Sequence, residues 1–355
     1  MLGAVLASLR DLQWRRRRFA VAAVGTALVF ALTLLLGSLV GSLNGEVDRT
    51  LEGLGADRFV FPATATSPFY GLAPFDQDVA TTVAGSTRGR AAPVMMVRQA
   101  VDLGHEDVTD LFLVAGVPGG PGQPPVVEGR APSGPGEIAL DRSAGVAIGA
   151  TVTLAGRPYE VVGRTVRRTL SAGNPTGYLL LSDVQAAVLG GARLSSMVLV
   201  DGGDPDAPLP AGFRSFTRDE ARADLLRPSA NALGSLVVLQ ALLWLVAAAI
   251  VGTVLYLSAV ERTREFAVLK ATGSTSAHIA AGLALQAVVV AVVASATAVV
   301  LARLLTPVFP LDVQLLGGQI ALTPAVAVLV GLLGSSVGMR HAVSVDPALA
   351  FGSGR

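Results

Sequence analysis

The sequence predicts an α-helical membrane protein with four transmembrane helices in a 1+3 arrangement and a mixed α+β extracytoplasmic domain inserted between helices 1 and 2. Two observations lead to this prediction. The chain of 355 residues is 52% hydrophobic and only 15% charged, whereas soluble domains have about 25% charged residues. Its long apolar stretches are also unequally spaced, because one lies near the start and three follow the polar segment 44–231.

Each apolar stretch is long enough to cross a bilayer, whose core of about 30 Å needs roughly 20 helical residues. The stretches are Phe19–Leu43, Leu233–Val260, Ile279–Leu304 and Ile320–Met339. The first follows four arginines and could instead be a cleaved signal peptide, but it exceeds the roughly 7–15 apolar residues of such peptides. In the last, Thr323 and Pro324 predict a capped helix start with the proline in the first turn.

The basic residues that flank these stretches predict the orientation. Arg15–Arg18, Arg262, Arg264, Lys270 and Arg340 would all lie on one side of four spans, and positive charge accumulates on the cytoplasmic side. Both termini of a multi-pass plasma-membrane protein are therefore expected in the cytoplasm. The resulting segments are a cytoplasmic amphipathic helix 1–18, transmembrane helices 19–43, 232–260, 278–304 and 320–340, the extracytoplasmic domain 44–231, a cytoplasmic coupling segment 261–277, an extracytoplasmic loop 305–319 and a cytoplasmic tail 341–355.

The polar segment 44–231 predicts a mixed domain of short strands, turns and a few helices. The clearest elements are strands at Arg58–Phe61, Tyr178–Leu181 and Met197–Val200, a hairpin over Val152–Gly163 that turns at Ala155-Gly156-Arg157, and a helix at Asp183–Leu189. The Pro- and Gly-rich run Pro118–Pro125 predicts an exposed loop without a core-forming residue.

Composition argues against catalysis by this chain. It has no cysteine, which excludes disulfides, thiol catalysis and cysteine-ligated metals. The three histidines, His105, His278 and His341, lack the spacing of metal ligands. The single lysine, Lys270, does not follow a glycine-rich P-loop. We therefore expect no catalytic, cofactor-binding or metal-binding residue, and ATP and Mg²⁺ would have to be bound by another chain. The net charge of +1 gives no argument for nucleic acid.

Polar side chains are sparse within the apolar stretches. Gln240 and Gln286 are interpreted as interhelical hydrogen-bonding residues rather than substrate ligands. No Asp or Glu lies in the middle of a stretch, so the sequence offers no carboxylate for a proton or cation relay.

Three regions carry motifs that occur together in one known family. The segment Val260–Gly273 has the pattern Glu-Arg-x-x-Glu-Phe-x-x-Leu-Lys-Ala-x-Gly, and the tail contains Val345–Ala350. The polar segment contains Leu54–Val60, Glu128–Arg130, Gly136–Leu140, Ile148–Val152 and Val161–Gly163. With the 1+3 helix arrangement, the chain resembles the permease subunits of MacB/FtsX-type ABC transporters over nearly its whole length.

The resemblance implies which residues contact an ATPase. They belong to the coupling segment and are Glu261, Arg262, Arg264, Glu265, Phe266, Leu269, Lys270 and Gly273. The charged residues alternate in sign and can pair with each other or with a groove on the partner, and Phe266 and Leu269, at i and i+3, would present an apolar face to it. The alternative is an ordinary charged cytoplasmic loop.

The resemblance further implies a bacterial complex in which a homodimer of this chain works with two copies of an ABC ATPase subunit, in contact with membrane lipid. The first functional hypothesis is export or extraction of an amphiphile, peptide or drug. The second is a non-transporting mechanotransmitter that acts on an extracytoplasmic protein partner such as a cell-wall hydrolase. A receptor or adhesion anchor without an ATPase is a third class, and a solute importer is less favoured.

Overall fold

The computed structural model describes residues 16–70, 73–87, 89–104, 108–171, 173–204, 208–273, 275–306 and 317–344. Two compact units divide the chain. The helical unit comprises residues 1–42 and 231–355, and the sheet unit comprises Leu43–Ala230. Most of the predicted amphipathic helix (1–15), much of the predicted loop 305–319 (307–316) and the tail motif 345–350 lie outside the described residues.

The helices differ in length from the predicted spans, mainly at the first one. In chain order they are α1 (Arg16–Leu54), α2 (Gln77–Ser86), α3 (Leu181–Ala187), α4 (Arg218–Leu226), α5 (Ala230–Glu261), α6 (Thr263–Ala271), α7 (Ser276–Leu305) and α8 (Gly317–Ser344), with 3₁₀ turns at Arg142–Ala144 and Arg227–Ser229. Helix α1 continues eleven residues past the predicted span 19–43, and its end belongs to the sheet unit.

Within the described residues, three helices are long and apolar enough to cross a membrane. The first is Ala20–Leu54 within α1, the second is Arg218–Glu261, which joins α4, a 3₁₀ turn and α5, and the third is Ser276–Leu305, which is α7. The apolar part of α8, Ile320–Ser336, is shorter. A fourth span therefore stays a prediction. The predicted start of that helix at Thr323-Pro324 is wrong, because α8 begins at Gly317 and has Pro324 in its interior. Neighbouring helices can satisfy the backbone groups that an internal proline frees in a membrane protein.

Small residues bring the helices of the helical unit into close contact. Its core is rich in alanine, including Ala291, Ala294 and Ala298 on α7. A Cβ at Gly252 on α5 would lie 2.5 Å from the carbonyl oxygen of Gly334 on α8, and a Cβ at Gly334 would collide with the carbonyl oxygen of Ala248. Backbone approach of this kind is how helices associate where lipid supplies no hydrophobic driving force.

The sheet unit contains a large mixed sheet. Its strands are β1 (Arg58–Pro62), β3 (Arg90–Asp102), β4 (Val108–Gly116), β5 (Glu128–Gly129), β6 (Glu137–Asp141), β7 (Thr151–Leu154), β8 (Arg157–Thr165), β9 (Thr169–Leu170), β10 (Asn174–Leu180), β12 (Met197–Asp201) and β13 (Phe213–Thr217), while β2 (Phe75–Asp76) and β11 (Leu194–Ser195) form a separate pair. The order is β13-β1-β12-β3-β4-β10-β6-β8-β5, with β7 beside β3 and β8, and β9 beside β10. The pairs β4–β10 and β6–β8 are parallel.

Two apolar cores stabilise this sheet. One joins Leu51 and Leu54 of α1 to Phe59, Phe61 and Leu225, and the other surrounds the neighbouring strands β4, β6 and β10. The end of α1 is therefore part of the core of the sheet unit.

The predicted strands and the hairpin are present, except that Leu181, predicted at the end of a strand, is the first residue of α3. In the hairpin, Leu154 pairs with Arg157, so the turn is only Ala155-Gly156, both with positive φ. The predicted helix Asp183–Leu189 begins two residues earlier, at Leu181, and ends two residues earlier, at Ala187.

The prediction that Pro118–Pro125 is an exposed loop is wrong in its middle. Pro121 and Gly122 are buried, and the Gly122 amide donates a hydrogen bond of 2.8 Å to the carbonyl oxygen of Leu54. A Cβ on Gly122 would lie 3.2 Å from both Val94 and Leu199. The loop therefore covers the end of α1 and part of the core.

Two of the motifs in the sheet unit, Glu128–Arg130 and Gly136–Leu140, are joined by an ion pair. Arg130 binds both carboxylate oxygens of Glu137, at 2.5 and 2.6 Å, and the Glu137 carboxylate also accepts from the amides of Ser133 and Gly134. These contacts lower the pKa of Glu137 to about 2, and the hydrogen bond from Arg130 makes the largest contribution. Arg130 and Glu137 of these two motifs thus have a structural role.

We expect Gly334→Leu to destabilise the helical unit by about 1–3 kcal/mol or more, because the new side chain would force α8 away from α5. Gly25→Leu on α1 is the matched control, since no atom lies within 4 Å of a Cβ built there. The measurement is the thermal unfolding midpoint of each variant in the same detergent. Equal midpoints for the two variants would contradict the close contact.

Candidate coupling site between α5 and α7

Helix α6 forms a short connection between two long apolar helices. Helix α5 ends at Glu261, and the Phe266 amide donates to the Arg262 carbonyl oxygen at 2.9 Å in the first turn of α6. At the other end, Gly273 has φ +93°, a conformation that favours glycine. The turn then leads to Thr275 immediately before α7. The chain thereby reverses direction with few residues.

Phe266 holds α6 against the two long helices. Its side chain is only 4% exposed and packs with Ala259 of α5 and with Ile279 and Leu283 of α7. The prediction that Phe266 presents an apolar face to a partner is therefore wrong, because this face is already occupied within the chain. The Leu269 side chain lies outside the described residues.

The predicted ion pairing within the segment is confirmed for one pair. Arg262 Nε lies 2.7 Å from Glu265 Oε2, and the Arg262 guanidinium carbon is 5.4 Å from the centre of the Phe266 ring. The Arg262 side chain is only 13% exposed, whereas that of Glu265 is 57% exposed. Arg262 therefore covers Phe266 and positions Glu265.

A different set of residues forms the exposed surface of α6. Glu261, Arg264 and Glu265 are exposed, and so is Val268, at 47%. Val268 follows Phe266 by two residues, which is about 200° around a helix, so it lies on the opposite face. We call these four residues the α6 surface. Lys270 is half-buried and Gly273 is exposed in the turn. Val268 was missed because nothing in the sequence decides which side of a short helix is packed.

A second constellation joins the end of α1 to α4 within the sheet unit. Arg222 Nε lies 2.6 Å from Asp48 Oδ1, and Arg222 donates to the Asn44 side-chain oxygen at 3.1 Å. We call these three residues the Arg222 junction. On the β9 side, the Gly173 amide donates to Glu46 at 2.9 Å. The sequence did not predict the contact between Arg222 and Asp48, because these residues are 174 positions apart in the chain.

One of the two predicted glutamine contacts is visible. The Gln240 amide on α5 donates to the Thr33 carbonyl oxygen on α1 at 3.4 Å, which confirms an interhelical hydrogen bond. Gln286 is buried on α7.

Comparisons with known proteins agree with the motifs. Residues 237–347 match the family described as FtsX-like permease C-terminal. The chain is 40% identical over 348 residues to an uncharacterized ABC transporter permease of Mycobacterium bovis, covering 98% of this chain and 99% of that protein. It is also 40% identical over 351 residues, with the same coverage, to an uncharacterized ABC transporter permease of Mycobacterium tuberculosis.

Two solved structures are similar to part of the chain. One is the extracellular domain of the noncanonic ABC-type transporter YknZ from Gram-positive bacteria, with a TM-score of 0.34 and 16% identity over 45% of this chain and 98% of that one. The other is the periplasmic region of MacB from Actinobacillus actinomycetemcomitans, with a TM-score of 0.34 and 13% identity over 49% of this chain and 94% of that one.

The long apolar helices, together with the match of residues 237–347 to an FtsX-like permease domain, define a membrane protein of the permease class. The relatives at 40% identity over almost the full length then show the family: the chain belongs to the FtsX-type ABC transporter permeases.

We expect Phe266→Ala to destabilise the helical unit by about 3–5 kcal/mol, as large-to-small changes of buried phenylalanine do. Val268→Ala, on the exposed face, should stay within about 0.5 kcal/mol of the parent. Thermal unfolding of the two variants in the same detergent measures the difference. An equal loss in both, or none in either, would contradict the assignment of the buried face.

Proposed function

We propose that this chain couples ATP hydrolysis in a separate ATPase subunit to movement of its sheet unit on the extracytoplasmic side of a bacterial plasma membrane. The observation that carries the proposal is the α6 surface, in which Glu261, Arg264 and Glu265 surround an exposed apolar residue, Val268. A short helix with alternating charge and one apolar contact suits a groove on a partner protein. ATP and Mg²⁺ belong to the ATPase in this proposal.

The packing of α6 supports a role in transmission. A partner that pushes on the exposed face would also move Phe266, which contacts Ala259 of α5 and Ile279 of α7. Packed interfaces respond to small displacements by shifting as units. Movement of the α6 surface would therefore reach the ends of both long helices.

The chain connections to the sheet unit support the second step of the proposed coupling, from the long helices to the sheet unit. Helix α1 contributes residues to both units, and α4 leads through one 3₁₀ turn into α5. The Arg222 junction ties the end of α1 to α4. Movements arriving along the two connections would therefore act on the sheet unit together.

The proposed assembly is a homodimer of this chain with two ATPase subunits, surrounded by lipid, with both termini and α6 in the cytoplasm. The proposed output is export or extraction of an amphiphile, peptide or drug. Mechanical transmission to an extracytoplasmic protein such as a cell-wall hydrolase is the second candidate. The sequence of the apolar stretches favours this second candidate. The stretches carry no acidic residue in their middle, so they provide few polar groups to line a hydrophilic path through the membrane.

We expect Arg264→Glu to reduce the amount of ATPase that copurifies from gently solubilised native membranes by at least about tenfold, because reversing an interface charge replaces attraction by repulsion. Arg264 is a cleaner probe than Arg262, which covers Phe266. The control is Arg157→Glu at an exposed position of the sheet unit. Unchanged copurification in Arg264→Glu would exclude this surface, and a parent chain without an ATPase would contradict the proposal itself.

The Arg222 junction gives a test of transmission. The chain has no cysteine, so a single spin label at Val108→Cys, 64% exposed on β4, reports the distance between two protomers. We expect ATP to change this distance in the parent, the change to be lost in Arg222→Asp, and the change to return in Arg222→Asp with Asp48→Arg. A change that persists in Arg222→Asp would exclude the junction as the transmitting contact.

A further inference from the structure

The sheet unit contains a cavity at a position where sheets commonly bind ligands. Its volume is about 420 Å³, within the roughly 300–1,000 Å³ of small-molecule sites. It lies where the parallel strands β4 and β10 end, since Gly116 and Leu180 pair with each other and both line it. Ligands of open α/β sheets bind outside the carboxyl ends of parallel strands.

Hydrogen bonds hold the polar wall of this cavity in place. The Gln185 side chain is only 6% exposed and donates from Nε2 to Gln77 Oε1 at 3.0 Å and to the Leu194 carbonyl oxygen at 2.9 Å. The Gln77 backbone amide donates to the Arg193 carbonyl oxygen at 2.8 Å. Because Gln77 Oε1 accepts from Gln185, its amide nitrogen can donate to a ligand.

The cavity lining combines polar and apolar side chains. Gln77, Ser182 and Arg193 are polar members of it, and Val117 and Leu181 are apolar members. Among the described residues that line the cavity, the one charged side chain is Arg193, and a guanidinium favours an anionic ligand. The nearest competing charge is Asp78, whose Oδ1 lies 3.4 Å from Arg193 while both side chains are largely exposed.

We propose that this cavity binds a small amphiphile with an anionic group, of the carboxylate type, whose head is held by Arg193, Gln77 and Ser182 and whose apolar part lies against Val117 and Leu181. Carboxylates accept charge-assisted hydrogen bonds from guanidinium groups and match such a set of donors. Binding at this site does not depend on coupling to an ATPase. The binding proposal can therefore be wrong while the proposed function is right, and the proposed function can be wrong while the binding proposal is right.

The test uses the full chain in lipid nanodiscs with a diazirine derivative of octanoate as photoaffinity probe. We expect mass spectrometry to locate the label at residues 116–118 and 180–185. Octanoate should compete with the probe at least about tenfold better than octanamide, since the amide lacks the charge that strengthens a hydrogen bond to arginine. The dipeptide N-acetyl-Leu-Leu, which has a free carboxylate, is tested as a competitor in the same way. Stronger competition by the dipeptide than by octanoate would identify a peptide C-terminus, rather than a fatty acid, as the preferred carboxylate ligand.

Two substitutions of opposite effect separate binding from folding. Arg193→Gln should weaken octanoate about tenfold and leave octanamide unchanged, while Asp78→Asn should tighten octanoate alone, because Arg193 then loses its competing partner. Arg157→Gln at an exposed position of β8 is the control. Label outside the cavity, equal competition by octanoate and octanamide, or no effect of either substitution would overturn the proposal.

Discussion

The packing of Phe266 is the contact on which the proposed coupling depends. Helix α6 has nine residues, and isolated helices of that length are marginal in water. Burial of Phe266 between α5 and α7, with Arg262 over its ring, supplies the tertiary support. It also determines which side of the segment faces outward, where Glu261, Arg264, Glu265 and Val268 are exposed. The orientation of α6 against α5 and α7 is thus set largely by one aromatic side chain.

The sheet unit depends on α1 in a comparable way. Leu51 and Leu54 enter its core, the Gly122 amide caps the Leu54 carbonyl, and Asp48 pairs with Arg222 of α4. A helix that begins among the apolar helices therefore ends as a structural part of the sheet unit. Residues 43–54 of α1 are therefore fixed to the sheet unit by apolar packing, a backbone hydrogen bond and an ion pair.

The cavity beside β4 and β10 gives the sheet unit a candidate ligand-binding site, in addition to its proposed role in transmitting movement. Its polar wall is built from α2, α3 and the segment before β11, and each of these is tied to its neighbour by hydrogen bonds from Gln77 or Gln185. Ligand binding there would act on elements next to the strands that form the centre of the sheet. Transport of an amphiphile and sensing of one are both compatible with a site in this position.

The sequence by itself determined the long apolar helices, the position of the polar domain after the first of them, the main strands and the family, because these follow from apolar length and from motifs that are local in the chain. The fourth span stays a prediction, since the apolar part of α8 is short. Only the tertiary structure decided that Phe266 faces inward, that Pro121 and Gly122 are buried, and that Arg222 meets Asp48 across 174 residues. The reason is physical: periodicity shows that a segment has a face, but the partner that covers the face is distant in sequence and is known only once the chain has folded.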